Sequence, residues 1–244
     1  MIEKQPLVEV SNLTKRYQGI KVNGVVKPAL DQLTLNLSAG KIIGLLGENG
    51  SGKTTLLKIL AGVLEPTSGQ VRIDGQQIGT KTKAMTSFLP DAAWLPESIS
   101  VDAAIGRHAD YFADFDAKKA TELVEFLVLE RSQTTNHMSK GMREKLQLAL
   151  IMSRSARLYL LDEPISGVDP AARQTLLDTI VKGWNPEATL FISTHLVTDI
   201  EPVLDEAVFL HAGKLFKQGE ADELREAYGM SLDQIFRKEY SHVC

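Results

Sequence analysis

The chain has 244 residues, 43% hydrophobic and 24% charged, a composition that supports a sizeable core and excludes a disordered chain. Lys and Arg total 27 against 31 Asp and Glu, a formal charge of −4 that argues against a broad basic surface, so no nucleic-acid partner is expected. With Cys244 as the single cysteine, no apolar run near the ~20 residues of a bilayer span and no secretory start, the sequence reads as one large or two small domains, disulfide-free, soluble and cytosolic.

Taken in order, Leu7–Val10 and Leu33–Leu37 alternate apolar and polar residues as half-buried strands do. Tyr17 to Ala29, with two glycines and a proline, reads as a hairpin loop between them. Lys41–Leu46 is a short apolar run that stops at a glycine-rich loop. A helical pattern follows from Thr54 to about Ala61, ended by Gly62 with Pro66 beyond. Val71–Ile73 before Asp74-Gly75 marks a strand and turn. The middle third changes character. Ala120, Leu123, Val124 and Leu127 sit at helical spacing behind Asp116 as N-cap, and Leu146, Ala149, Leu150 and Ser153 repeat the pattern. Residues 92–155 are therefore expected to form a mainly helical insertion. Leu158–Leu161 and Thr189–Ser193 return as buried strands, with a helix between them that Asp169-Pro170 starts and Gly183 can end. Strands alternating with helices point to an α/β fold with a mostly parallel sheet.

Two segments carry chemistry. Gly47-Glu48-Asn49-Gly50-Ser51-Gly52-Lys53-Thr54 fits G-x-x-x-x-G-K-[ST] without a mismatch, between an apolar strand and a helix as that motif requires. Glycines let the backbone wrap a polyphosphate with its N–H groups pointing inward, and the helix start adds its positive end. Lys53 is a point charge for the β- and γ-phosphates, the Thr54 hydroxyl can ligate Mg²⁺, and Thr55 stands on the α-phosphate side. The second segment, Leu158 to Glu163, is an apolar strand ending in two acids. Charges at the end of a buried strand are costly unless something is bound there. Asp162 is placed to hold Mg²⁺ and Glu163 to polarise an attacking water; the alternative is that the pair caps the turn before Pro164.

With these motifs in order, the sequence resembles the ATP-binding cassette (ABC) ATPase family over essentially its whole length. Met138-Ser139-Lys140-Gly141-Met142 resembles the family signature, usually LSGGQ, 23 residues before Asp162, with Met138, Lys140 and Met142 departing from it. Ser139 and Gly141 precede an amphipathic helix and so form a second anion site. The resemblance implies that this site meets the γ-phosphate of ATP held by another protomer, in a head-to-tail homodimer or a pair with a second cassette. It further implies Asp169 of Ser166-Gly167-Val168-Asp169 at that interface, His195 as the switch histidine contacting the γ-phosphate, and Tyr17 stacking on adenine. The other four histidines are expected at the surface. Asp91 stands where the family usually has a glutamine that touches Mg²⁺ and couples to the membrane subunit.

The fold implied is a P-loop NTPase core of mostly parallel sheet, with an N-terminal antiparallel β subdomain, the inserted helical subdomain of about 92–155 and a helical tail of about 220–244. The function implied is that of an ATP- and Mg²⁺-dependent ATPase subunit, catalysed through Lys53, Glu163 and His195, on the cytoplasmic face of a membrane through an integral membrane transporter subunit. Ser139–Met142 and the tail Ser231–Phe236 resemble exporter-type cassettes. A cytosolic ABC ATPase serving an assembly complex is the alternative. Only 85 residues separate Lys53 from Ser139, too few for the coiled coils of DNA-repair relatives. A non-hydrolysing cassette is rejected because Lys53, Asp162, Glu163 and His195 are all present.

Overall fold

The computed structural model describes residues 5–17 and 27–241, so the expected hairpin loop lies largely outside the described residues. In chain order the first half runs β1 (Val8–Lys15), β2 (Leu30–Leu37), β3 (Ile42–Leu46), α1 (Lys53–Leu60), β4 (Ser68–Ile73), β5 (Gln76–Gln77), α2 (Thr80–Ala84), β6 (Thr86–Leu89), α3 (Val101–Tyr111) and α4 (Ala117–Phe126). The second half runs α5 (Lys140–Met152), β7 (Leu158–Asp162), α6 (Pro170–Gly183), β8 (Thr189–Thr194), α7 (Val197–Ile200), β9 (Glu206–His211), β10 (Lys214–Glu220), α8 (Ala221–Tyr228) and α9 (Leu232–Ser241).

These strands make two sheets. An antiparallel one has the order β2-β1-β4-β5, and its alternation follows the sequence: Leu33, Leu35 and Leu37 of β2 are buried, Thr34 and Asn36 exposed. β1 runs past Val10, where the alternating pattern stops, because a bulge at Asn12 (φ 50°) resets the register and turns Leu13 inward again. The other sheet has the order β10-β9-β3-β8-β7-β6, parallel throughout except for the β9–β10 hairpin. β3 and β7 have no exposed residue, as expected of parallel strands covered on both faces. Alternate residues feed two cores. Ile43, Leu45, Leu158 and Leu160 face the antiparallel sheet and α1, whereas Ile42, Leu46, Tyr159 and Leu161 face the core shared with α3 to α6.

Helices α3, α4 and α5 stand between β6 and β7 in sequence. Arg154, just past α5, joins them to the sheet: it donates to the carbonyls of Thr86 and Ala84, both at 2.7 Å, and to both oxygens of Asp114 at 3.0 Å. One expectation fails nearby. His108 is not at the surface; it lies on the buried face of α3 with Ala104 and Ile105, its Nδ1 2.7 Å from the Ala104 carbonyl. Trp94, Phe112 and Phe115 surround its ring, with centroids 5.2–5.9 Å away. Burial lowers its pKa from the ordinary 6.5, with the Arg107 and Arg154 charges acting in the same direction.

The carboxyl ends of β3, β7 and β8 share one edge, because the three strands are parallel neighbours. That edge carries the chemistry-bearing segments, as open α/β sheets generally arrange it.

Candidate active site

Gly47 to Thr54 form the turn from β3 into α1. A Cβ at Gly47 would stand 2.5 Å from Ser51 Oγ and 2.6 Å from the Leu210 carbonyl, so no side chain fits there. Gly52 is the N-cap of α1 at φ 109°, a conformation costly for any other residue, and contributes no side chain to the helix end. Neither a capping side chain nor an acid occupies the first turn, leaving the N–H groups and positive end of α1 open to an anion. Lys53 is buried and turned back into the loop, its Nζ donating to the Gly47 carbonyl at 2.6 Å and the Glu48 carbonyl at 3.1 Å. Ser51 Oγ is buried with no hydrogen-bond partner.

Asp162 closes β7 at 1% exposure. Its Oδ1 accepts from Ser193 Oγ at 2.7 Å and from Thr54 Oγ1 at 3.1 Å, while its Oδ2 is buried with no partner. Burial pushes this carboxyl above the usual range, the two hydroxyls pull it back, and the charges of Asp91 and Glu163 raise it further. An orphaned carboxylate oxygen beside a threonine hydroxyl is a hard-oxygen set. It fits Mg²⁺, which takes one or two carboxylates and completes its shell with water and substrate phosphates.

Glu163 follows at φ 50°, left-handed for a residue with a Cβ, which costs about 1–2 kcal/mol. Its N–H donates to Ser193, with both the carbonyl and the hydroxyl oxygen at 3.1 Å. That grip turns its carboxylate between the Lys53 ammonium and the His195 imidazole: Lys53 Nζ lies 3.4 Å from Oε1 and His195 Nδ1 lies 3.0 Å from Oε2. Asp162 and Ser193 face each other in register across β7 and β8, so Ser193 serves both acids. No role for Ser193 follows from the motifs alone. The available signal was a small polar residue ending a buried strand opposite the Asp.

A cavity of about 820 Å³ opens over this edge. Asn49, Gly50, Gly52, Lys53, Thr54 and Thr55 line its floor, with Glu163, Asp91 and Tyr17 on its walls. The Tyr17 hydroxyl lies 3.3 Å from Thr55 Oγ1, and Lys15 Nζ lies 5.5 Å from the Tyr17 ring centroid. The structure therefore brings together nearly all the residues singled out from the sequence. Gly47, Asp162 and His195 do not line the cavity but touch residues that do, through Lys53, Thr54 and Glu163 respectively, whereas Ser139, Gly141 and Asp169 stand apart from it. Ser139 caps α5, accepting from Met142 N at 3.2 Å, and Asp169 caps α6, accepting from Ala171 N and Ala172 N at 3.1 Å.

A phosphate-shaped loop, a buried aspartate behind its threonine and a lysine–glutamate–histidine cluster on a parallel sheet edge define a P-loop nucleoside triphosphatase. A family model described as "ABC transporter" matches residues 30–166, and the chain belongs to that family as an ATP-binding, ATP-hydrolysing domain. Among relatives, ATP-binding cassette sub-family A member 2 of Rattus norvegicus is 34% identical over 92% of this chain, which spans 9% of that protein. The bacitracin transport ATP-binding protein BcrA of Bacillus licheniformis is 30% identical over 90% of the chain, which spans 72% of it. A solved ATP-binding subunit of an ABC transporter superposes with a TM-score of 0.82 at 26% identity, covering 95% of this chain and 98% of that one. A dimeric bacterial ABC transporter cassette shares the fold with a TM-score of 0.75 at 20% identity, covering 87% of this chain and 98% of that one.

Proposed function

We propose that this chain energises an exporter whose membrane-spanning subunits are separate chains, through an ATP-driven cycle of cassette pairing. The observation that carries the reading is the Lys53–Glu163–His195 cluster, with Glu163 Oε1 and Oε2 at 3.4 and 3.0 Å from its partners over a loop built for phosphate. ATP enters the 820 Å³ cavity with its base against Tyr17 and its phosphates on the Gly47–Thr54 loop. Lys53 then exchanges the Gly47 and Glu48 carbonyls for the β- and γ-phosphate oxygens, and this frees one side of Glu163. Held by His195, Glu163 accepts the proton of the attacking water as general base. Thr54 and Asp162, with Asp91 beside them, would hold Mg²⁺, which would supply positive charge next to the terminal phosphates.

Ser139 and Gly141 sit at the start of α5, apart from the cavity of their own chain, which suits them to the γ-phosphate of ATP on a second copy or second cassette. Asp169, the N-cap of α6, lies at that joint in the same reading. Only a triphosphate bridges the two elements, so hydrolysis removes the bridge and the pair opens. Family membership and the dimeric cassette of like fold support this arrangement. The helical region of about 92–155 is read as a lobe inserted into one cassette, and the tail of about 220–244 as its appendage. No helix among the described residues is long and apolar enough to cross a membrane. The proposed seat is the cytoplasmic face of the cell membrane, held there by an integral membrane subunit. The exporter direction rests on the resemblance of Ser139–Met142 and Ser231–Phe236 to exporter-type cassettes, and the transport role is supported by the likeness to a bacitracin transport ATP-binding protein.

Purification of the chain from detergent-solubilised native membranes tests this. A membrane-spanning chain is expected to co-purify in fixed ratio and to raise ATP turnover, and Lys53→Ala is expected to abolish ATP binding. Recovery of the chain without such a partner would defeat the transporter reading, and unchanged binding in Lys53→Ala would defeat the nucleotide site.

A further inference from the structure

The phosphate loop is supported from behind by α9, at a residue beyond the Ser231–Phe236 tail motif. Gly47 presses on the Leu210 carbonyl at the end of β9, where a Cβ would stand only 2.6 Å from that oxygen. Gly213 N, in the turn after β9, donates to the Ser51 carbonyl at 2.9 Å. The end of β9 thus forms the wall against which the loop is folded. What holds the wall is Tyr240 of α9: its hydroxyl donates to the same Leu210 carbonyl at 2.8 Å, and its ring lies 5.3 Å from His211 and 4.5 Å from Phe236, centroid to centroid. Tyr240 is 5% exposed. Burial and the nearby Glu48 carboxylate both push its phenol upward, so it remains a proton donor at any working pH.

The opposite end of α9 is fastened as firmly. Glu201 accepts from Leu232 N at 2.8 Å and Asp233 N at 3.2 Å, capping the helix, and is itself gripped by Arg225 Nε at 3.1 Å. Glu201 directly follows α7, the short helix that begins two residues after His195. A single helix therefore spans from the segment behind His195 to the wall behind Gly47.

We infer that Tyr240 is a positioning residue for nucleotide binding, its hydroxyl fixing the Leu210 carbonyl against Gly47 so that the phosphate loop is preorganised, with α9 as the strut that anchors it. This rests on the reading of Gly47–Thr54 as the nucleotide site. A loop set before ATP arrives favours ground state and transition state alike, so its loosening raises the dissociation constant and KM while sparing kcat.

Tyr240→Phe removes one hydroxyl and keeps the ring. It is expected to weaken ATP binding about five- to tenfold, in EDTA as well as with Mg²⁺, while kcat stays within about twofold. Arg237→Ala, which removes an exposed side chain from the same helix, is expected to leave the ATP dissociation constant within about twofold. Wild-type affinity in Tyr240→Phe, or equal weakening in both variants, would overturn the inference. If Tyr240→Phe does not fold, Glu201→Gln, which loosens the far end of α9, must weaken ATP binding, and unaltered affinity there overturns it equally. Lys53→Ala separates the two levels: retained ATP binding in that variant removes the nucleotide site itself, whatever Tyr240 does.

Discussion

Replacing Ser193 by Ala would remove one hydroxyl and disturb both acids. Ser193 Oγ donates to Asp162 Oδ1 at 2.7 Å and accepts from Glu163 N at 3.1 Å. Glu163 N keeps the Ser193 carbonyl, also at 3.1 Å, so its backbone is not orphaned. Asp162 loses more. It is 1% exposed and retains only Thr54 Oγ1 as donor, at 3.1 Å. A hydrogen bond to a charged group contributes about 1.5–3 kcal/mol, which corresponds to roughly ten- to hundredfold in a rate or binding constant. The carboxyl, already raised by burial, rises further when that hydroxyl is lost, so the acid limb of the pH–activity profile moves to higher pH. Steady-state hydrolysis against Mg²⁺ concentration at several pH values is the assay. Ser193→Ala should lower kcat/KM by that factor and raise the half-saturating Mg²⁺ concentration, with ATP affinity in EDTA unchanged. An unaltered Mg²⁺ requirement and an unshifted acid limb would show that Asp162 is not held ready by Ser193, and the account of that corner would be wrong.

Two further outcomes concern the helices between β6 and β7. His108 has a pKa lowered by burial, so the folded state prefers it neutral and the stability it contributes is present above its unfolded value of about 6.5 and lost as pH falls below it. Thermal unfolding scanned between about pH 7.5 and 5 should show this loss, and His108→Phe should remove that component; an identical pH dependence in the variant would exclude His108 as its source. Arg154→Met would leave the Thr86 and Ala84 carbonyls and the Asp114 carboxylate without their 2.7–3.0 Å donors. Breaking such a buried pair costs about 3–5 kcal/mol, a Tm fall of roughly 6–20 °C for a chain of this size, and a fall under about 2 °C would contradict the joint assigned to it.

How much of this was readable from sequence depends on the distance over which each feature is encoded. The phosphate loop, Asp162 and Glu163 are local words whose strand and helix contexts lie in the adjoining residues. The sheet placed them together as the motifs implied. Ser193 and Tyr240 act on residues 31 and 30 positions away, and no short pattern announces a register match or a helix packed under a strand end. The extension of β1 past Val10 was hidden because the bulge at Asn12 interrupts the period-two pattern on which strand reading depends. β9 and β10 carry a local signal of their own, for Ala207 to Leu210 is an apolar run ahead of a tight Ala212-Gly213 turn. His108 was misplaced for a different reason. A histidine among Arg107, Asp110 and Asp102 reads as polar surface, but Val101, Ala104 and Ile105 define a helical face on which position 108 is the next member. Ser139 and Gly141 remain a reading from the resemblance and from the Ser cap on α5, because a single chain places them away from its own cavity.

The central claim is that Glu163, set between Lys53 and His195, is the base for ATP hydrolysis while the loop alone binds the nucleotide. Single-turnover hydrolysis and equilibrium ATP binding on Glu163→Gln, with the mass of the complex followed in the same samples, test it most directly. The account predicts hydrolysis lower by about 10²–10⁴-fold, ATP affinity retained, and a stable ATP-bound dimer that the wild type holds only transiently. Hydrolysis at the wild-type rate in that variant would contradict it.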